Sequence, residues 1–116
     1  MIKPASEFIA EAQQNCNCLN IADAKALFDT ATSAVLLDVR EPQEAAESKI
    51  DCSINIPRGL LEMKIQQLCS DASNLILIHC AAGGRASLAA ARLQEMGYNN
   101  VHAITAKFND IKATFN

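Results

Sequence analysis

Cys80-Ala81-Ala82-Gly83-Gly84-Arg85 sets a nucleophilic thiol, two glycines and a guanidinium on consecutive positions. Before it runs Leu75-Ile76-Leu77-Ile78-His79, short, continuous and apolar, which predicts a strand buried on both faces of a parallel sheet. After it runs Ala-Ser-Leu-Ala-Ala-Ala-Arg-Leu-Gln-Glu-Met, whose residues favour a helix and put Ala89, Leu93 and Met96 on one stripe expected to be buried. The loop therefore joins a strand to a helix N-terminus, where unbonded backbone N–H groups and the positive end of the helix dipole face whatever it holds. Gly83 and Gly84 are expected to take positive φ and turn their amides inward, which a Cβ would resist. Such a place favours the thiolate, the form of cysteine that attacks. Cys80 is thus the candidate nucleophile. Arg85, a cation in the first helical turn, opposes the dipole unless an anion lies near it, and so points to a bound anion.

The rest of the composition narrows the partners. With 116 residues, half of them apolar, residues 1–116 are read as one domain with a modest core. A net charge of -3 and the absence of any lysine or arginine run leave no footprint for nucleic acid or a membrane surface. Met1-Ile2-Lys3-Pro4-Ala5-Ser6-Glu7 has no apolar signal core and no stretch reaches membrane-spanning length, so the chain is expected in the cytoplasm. Five cysteines, an odd number, then read as reduced thiols rather than a disulfide framework. Cys16 and Cys18 are either a resolving dithiol or part of a solvent-facing loop; for zinc they lack a second ligand pair. Cys52 and Cys69 stand in apolar contexts and are expected to pack. His79 should point to the sheet face opposite Cys80, so that it and His102 read as core or interface histidines. No metal site, nucleotide loop or flavin motif is visible, and no cofactor is expected.

The remaining elements alternate. Phe8, Ile9 and Ala12 suggest an N-terminal helix, and Asn20 with Asp23 starts a second, carrying Ile21, Ala24, Leu27 and Phe28. Ala34–Val39 is a strand, and Glu41-Pro42 opens a short helix. A strand around Ser53–Ile56 leads through Pro57-Arg58-Gly59 to a helix with Leu61, Ile65 and Leu68. Gly97 ends the helix after the Cys80 loop, Val101–Ile104 is the last strand, and Phe108, Ile111 and Phe115 mark a closing helix. The expected class is α/β: a parallel sheet of about five short strands, covered by helices on both faces, with ligands bound beyond the strands' carboxyl ends. Asp38, Arg40 and Arg58 fall at that edge too.

In this order, the residues resemble the single-domain rhodanese (thiosulfate sulfurtransferase) family over the whole chain. The Cys80 loop carries the likeness together with Leu37-Asp38-Val39-Arg40-Glu41-Pro42, Asn55-Ile56-Pro57-Arg58-Gly59 and Leu93-x-x-Met96-Gly97-Tyr98-x-Asn100-Val101. The resemblance implies that Cys80 takes the sulfane sulfur of a donor such as thiosulfate, carries it as a persulfide and passes it to cyanide or a thiol, a dithiol protein among the candidates. That is covalent, ping-pong chemistry. Ala81, Ala82, Gly83 and Gly84 would then cradle the adduct, Arg85 and Arg58 would pair with the sulfonate, and Asp38 and Arg40 would brace the loop as a buried pair. Two segments depart from the family: Ser48-Lys49 where it often has Gly-His, and Ala106-Lys107 with Ile111 where it has Gly-Gly and a tryptophan.

Two other functions compete. Cysteine phosphatases and arsenate reductases need five residues between cysteine and arginine, whereas this loop has four, a ring better suited to one sulfur atom than to a tetrahedral oxyanion. The second rival is a binding module that carries persulfide at low turnover or senses sulfur or redox state.

Overall fold

The computed structural model describes residues 1–116. Along it run α1 (Ala5–Asn15), β1 (Asn17–Leu19), α2 (Ile21–Thr30), β2 (Ala34–Asp38), α3 (Pro42–Glu47), β3 (Ile54–Asn55), α4 (Leu61–Leu68), β4 (Leu75–His79), α5 (Gly84–Met96), β5 (Val101–Ile104) and α6 (Phe108–Phe115), with a 3₁₀ turn at Arg58–Leu60. The five strands make one sheet in the order β1-β5-β4-β2-β3, every neighbouring pair parallel. Helices cover both faces, as the alternation of elements implies. No helix is long and apolar enough to cross a membrane.

The sheet's central strand, β4, shows why the apolar run is continuous. Ile76 and Ile78 pack on one face with Leu61 and Ile65 of α4 and Ala89 and Leu93 of α5, while Leu75 and Leu77 pack on the other with Ala24 of α2 and Ile111 of α6. Every β4 residue is buried, and the four before His79 are all apolar rather than alternating with polar ones. Side chains alternate between the faces, and Cys80, following β4, falls with the Ile76 and Ile78 set.

Local chemistry sets the helix ends. Asn20 caps α2 by accepting the Asp23 N–H at 2.8 Å, and α3 begins with Pro42 inside a Glu41–Glu44 capping box. Gly97, at φ +111°, stops α5 in the left-handed conformation.

Several expectations need correcting. The Cys16–Cys18 segment is not a loop: Asn17–Leu19 is the edge strand β1, paired with β5. A three-residue strand has no periodicity to read, and only its partner defines it. The buried stripe of α5 stops at Leu93, because Met96, in the last turn beside the Gly97 stop, is 38% exposed. Cys69 packs as expected, but Cys52 is exposed on the turn before β3.

Candidate active site

β4 ends at His79 and α5 begins at Gly84, and the chain between them wraps around the Cys80 sulfur. Cys80 Sγ accepts the Gly83 N–H at 3.1 Å and the Ala86 N–H at 3.3 Å. The second donor belongs to the first turn of α5, so the sulfur sits on the positive end of the helix. Cys80 is 1% exposed, whereas Ala81 and Ala82, next along the loop, are exposed and short. Ser87, buried in the same turn, donates its Oγ–H to Gly83 O at 2.7 Å and accepts from Gln13 Nε2 at 3.2 Å, tying α1 to the loop. Sequence reading missed Ser87, since a serine in a helix of small residues carries no signal of its own.

The two glycines do different work. Gly83 has φ +103°, and a Cβ there would stand 3.1 Å from Thr105 Cα. Gly84, expected to share the positive φ, does not; it opens α5, and its missing Cβ admits Ile9 Cδ1, which would lie 3.0 Å from it. Gly83→Ala is therefore expected to destabilise the fold by about 1–3 kcal/mol and to misplace the amide on Cys80 Sγ. Gly84→Ala should cost less, because the end of the Ile9 side chain can shift. Urea denaturation of the two variants checks the ranking.

Arg85 does find its anion, and the protein supplies it. Its Nη1 and Nη2 donate to Glu44 Oε1 at 2.6 Å and Oε2 at 3.1 Å, joining α5 to α3. The guanidinium holds the Glu44 carboxyl down at about 2. Because this lies below the ordinary 4.5, the pair's stabilisation is full above that value and fades as pH falls towards 2. Both side chains are about one-third exposed, which keeps the effect small. The melting temperature of Glu44→Gln should thus trail the wild type by a constant margin above pH 4.5, narrowing on acidification.

Asp38 and Arg40 form the expected buried pair. Arg40 Nε donates to Asp38 Oδ1 at 3.0 Å and Nη2 to Oδ2 at 2.8 Å, with the side chains 6% and 0% exposed. Arg40 Nη2 also reaches Ser48 O at 2.7 Å, and Asn55 Nδ2 bonds both Asp38 O and Arg40 O at 2.9 Å. The guanidinium lies 3.9 Å from the centre of the Phe108 ring, and the Phe108 N–H donates to Ala81 O at 2.9 Å. Phe108 thereby links the ion pair to the loop. His79 adjoins this cluster, its ring 5.8 Å from that of Phe108, fully buried and with neither nitrogen hydrogen-bonded. Burial pushes its pKa below the ordinary value, as fits a neutral core histidine.

Arg58 stands apart from this group. Its Nη1 donates to Glu62 Oε1 at 3.0 Å, and it lines a cleft with Phe8, Glu11, Leu88 and Arg92 that includes none of the Cys80–Arg85 loop. All four arginines are thus engaged with carboxylates. Lys107, which the sequence offers only as a departure from the family pattern, is exposed, makes no ion pair and stands at the start of α6, one residue before the Phe108 N–H that bonds the loop.

Known proteins share this fold. A Rhodopseudomonas palustris protein of unknown function, named as a possible tyrosine phosphatase, superposes with a TM-score of 0.85 at 29% identity, covering 97% of this chain and 92% of its own. A thiosulfate sulfurtransferase of Escherichia coli is 31% identical over 65 residues, 56% of this chain and 62% of its own length. A sulfurtransferase of Allochromatium vinosum is 30% identical over 67 residues, 58% of this chain and 61% of its own. The chain spans about three-fifths of the length of the curated relatives it matches. The model of the rhodanese-like domain matches residues 20–114, from the cap of α2 to the last turn of α6 and across the whole Cys80 loop, and by that match the chain belongs to the rhodanese-like family.

Proposed function

We propose that residues 1–116 form a single rhodanese-like domain that works as a sulfurtransferase, moving sulfane sulfur from thiosulfate to cyanide or a thiol through a persulfide on Cys80. The observation that carries this reading is the Cys80 sulfur held by the Gly83 and Ala86 amides at the end of α5. The Cys80 thiolate attacks the outer sulfur of thiosulfate; the S–S bond of the donor breaks and sulfite leaves with its electron pair. The resulting persulfide anion stays against the loop amides until cyanide or a thiolate takes the terminal sulfur, returning Cys80 as thiolate. The name of the Escherichia coli relative, a thiosulfate sulfurtransferase, supports the donor class.

Arg85 and Arg58 already hold carboxylates, so the sulfonate falls to the loop amides and to Lys107, an unpaired cation one residue before the Phe108 N–H that bonds Ala81 O. Lys107→Glu should raise KM for thiosulfate about 3- to 10-fold with kcat less affected, and added salt should shrink the difference. Steady-state thiocyanate formation at two ionic strengths measures both.

The direct test is to incubate the reduced protein with thiosulfate and locate one added sulfur by intact and peptide mass spectrometry. Sulfur on Cys80 that cyanide or a dithiol removes supports the reading; a bare Cys80 beside reacting thiols overturns it. Stoichiometric loading without turnover would make the domain a persulfide carrier. The phosphatase name of the Rhodopseudomonas palustris neighbour is met by a loop of four residues between Cys80 and Arg85 and by an Arg85 bound to Glu44. Hydrolysis of an aryl phosphate should accordingly stay far below sulfur transfer.

A further inference from the structure

Two of the five thiols lie outside this chemistry yet face each other. Cys16 and Cys18 hold their Sγ atoms 3.8 Å apart. Cys16 closes α1, its N–H bonded to Ala12 O at 2.8 Å, and Cys18 is the middle residue of β1, in register with Ala103 of β5. With one residue between them, both side chains leave the chain on the same side. Cys16 is half-buried against the core that α5 helps to build, whereas Cys18 is exposed and adds nothing to it. Ile78 neighbours Ala103, which neighbours Cys18, so Cys80 is two strands and two residues away, on the order of 12 Å by strand spacing. The pair is a site separate from the loop.

We propose that Cys16 and Cys18 are a redox-active dithiol that closes to an intramolecular disulfide by reducing a low-molecular-weight disulfide, RSSR. The exposed Cys18 thiolate attacks one substrate sulfur, forming Cys18–S–S–R and releasing the first RS⁻. Cys16 then gives its proton to a base in solution, attacks Cys18 Sγ and expels the second RS⁻. The two thiols lose two electrons, and one substrate disulfide becomes two thiols. The sulfurs must close from 3.8 Å to about 2.05 Å, a side-chain movement at the junction of a helix end and an edge strand. Burial, helped by the neighbouring Cys18, pushes the Cys16 thiol up to about 12, so Cys18 opens the reaction and Cys16 resolves it.

The test exposes the reduced wild-type chain to excess oxidised glutathione, quenches with acid, alkylates and digests with trypsin. The segment ending at Lys25 holds both cysteines. It should emerge lighter by two hydrogens, closed to alkylation and free of glutathione, and dithiothreitol should restore it. In Cys16→Ser the ring cannot close, and glutathione should remain on Cys18. In Cys18→Ser, a change at an exposed position that spares the core, Cys16 should take up at least about tenfold less glutathione than Cys18 does. A wild-type chain that stops at glutathionylated Cys18, or keeps both thiols open to alkylation while the exposed Cys52 reacts, overturns the proposal. The readout does not involve Cys80, so it stands or falls apart from the sulfurtransferase reading.

Discussion

Cys80→Ser should abolish both persulfide formation and thiocyanate production, with turnover falling at least ~10³-fold. The oxygen can occupy the site between the Gly83 and Ala86 amides, but a hydroxyl is a far weaker nucleophile than a thiolate and forms no persulfide. The fold should be untouched, because the change is small and the backbone of the loop is fixed by Gly83, Ser87 and Phe108 rather than by the sulfur. Stopped assays of thiocyanate, with mass spectrometry of the thiosulfate-treated variant, measure the loss. Retention of one labile sulfur on the serine variant would move the reacting group away from Cys80, and residual turnover near the wild-type rate would do the same.

Asp38→Ala is expected to have the largest effect on stability, about 3–5 kcal/mol. It leaves the Arg40 guanidinium, 6% exposed, without its counter-charge and deprives the Arg40 N–H and Nε–H of their acceptor. The guanidinium keeps Ser48 O and the Phe108 ring, which do not balance its charge. Urea denaturation should show a much lower midpoint. A double replacement, Asp38→Leu with Arg40→Met, should recover part of the loss, since two apolar groups bury no unpaired charge. If Asp38→Ala costs under about 1 kcal/mol, Arg40 reaches solvent in the native state and the pair does not brace the loop.

The Cys80 loop was legible because its two neighbours advertise themselves. A continuous run of four apolar residues, Leu75–Ile78, reads as a doubly buried strand, and an alanine-rich run after two glycines reads as a helix start. For Asp38 and Arg40 the residues alone showed only a place at the strand-end edge; their buried pairing was what the family resemblance implied. Glu44 was not legible. Forty-one positions separate it from Arg85, and nothing in either segment says that α3 and the start of α5 will meet. Separation in sequence likewise hid Ser87 from Gln13, seventy-four positions away, and Thr105 from Gly83.

Strand β1 marks the limit from the other side. Asn17–Leu19 is too short for any period, and its pairing with β5 comes only from folding the chain back over eighty residues. The exposure of Met96 and Cys52 likewise depends on where a helix ends relative to the sheet and where a turn projects, which residue type does not report.

What the sequence determined by itself is whatever rests on contiguous residues: the α/β alternation, the strand–loop–helix unit and the place of Cys80 at a helix N-terminus, because periodicity, propensity and the helix dipole act within a few residues. What only the tertiary structure decided is which charges meet. Arg85 is bound to Glu44, forty-one positions away, and Lys107 is left unpaired beside the loop, because ion pairing across elements depends on how the helices pack over the sheet.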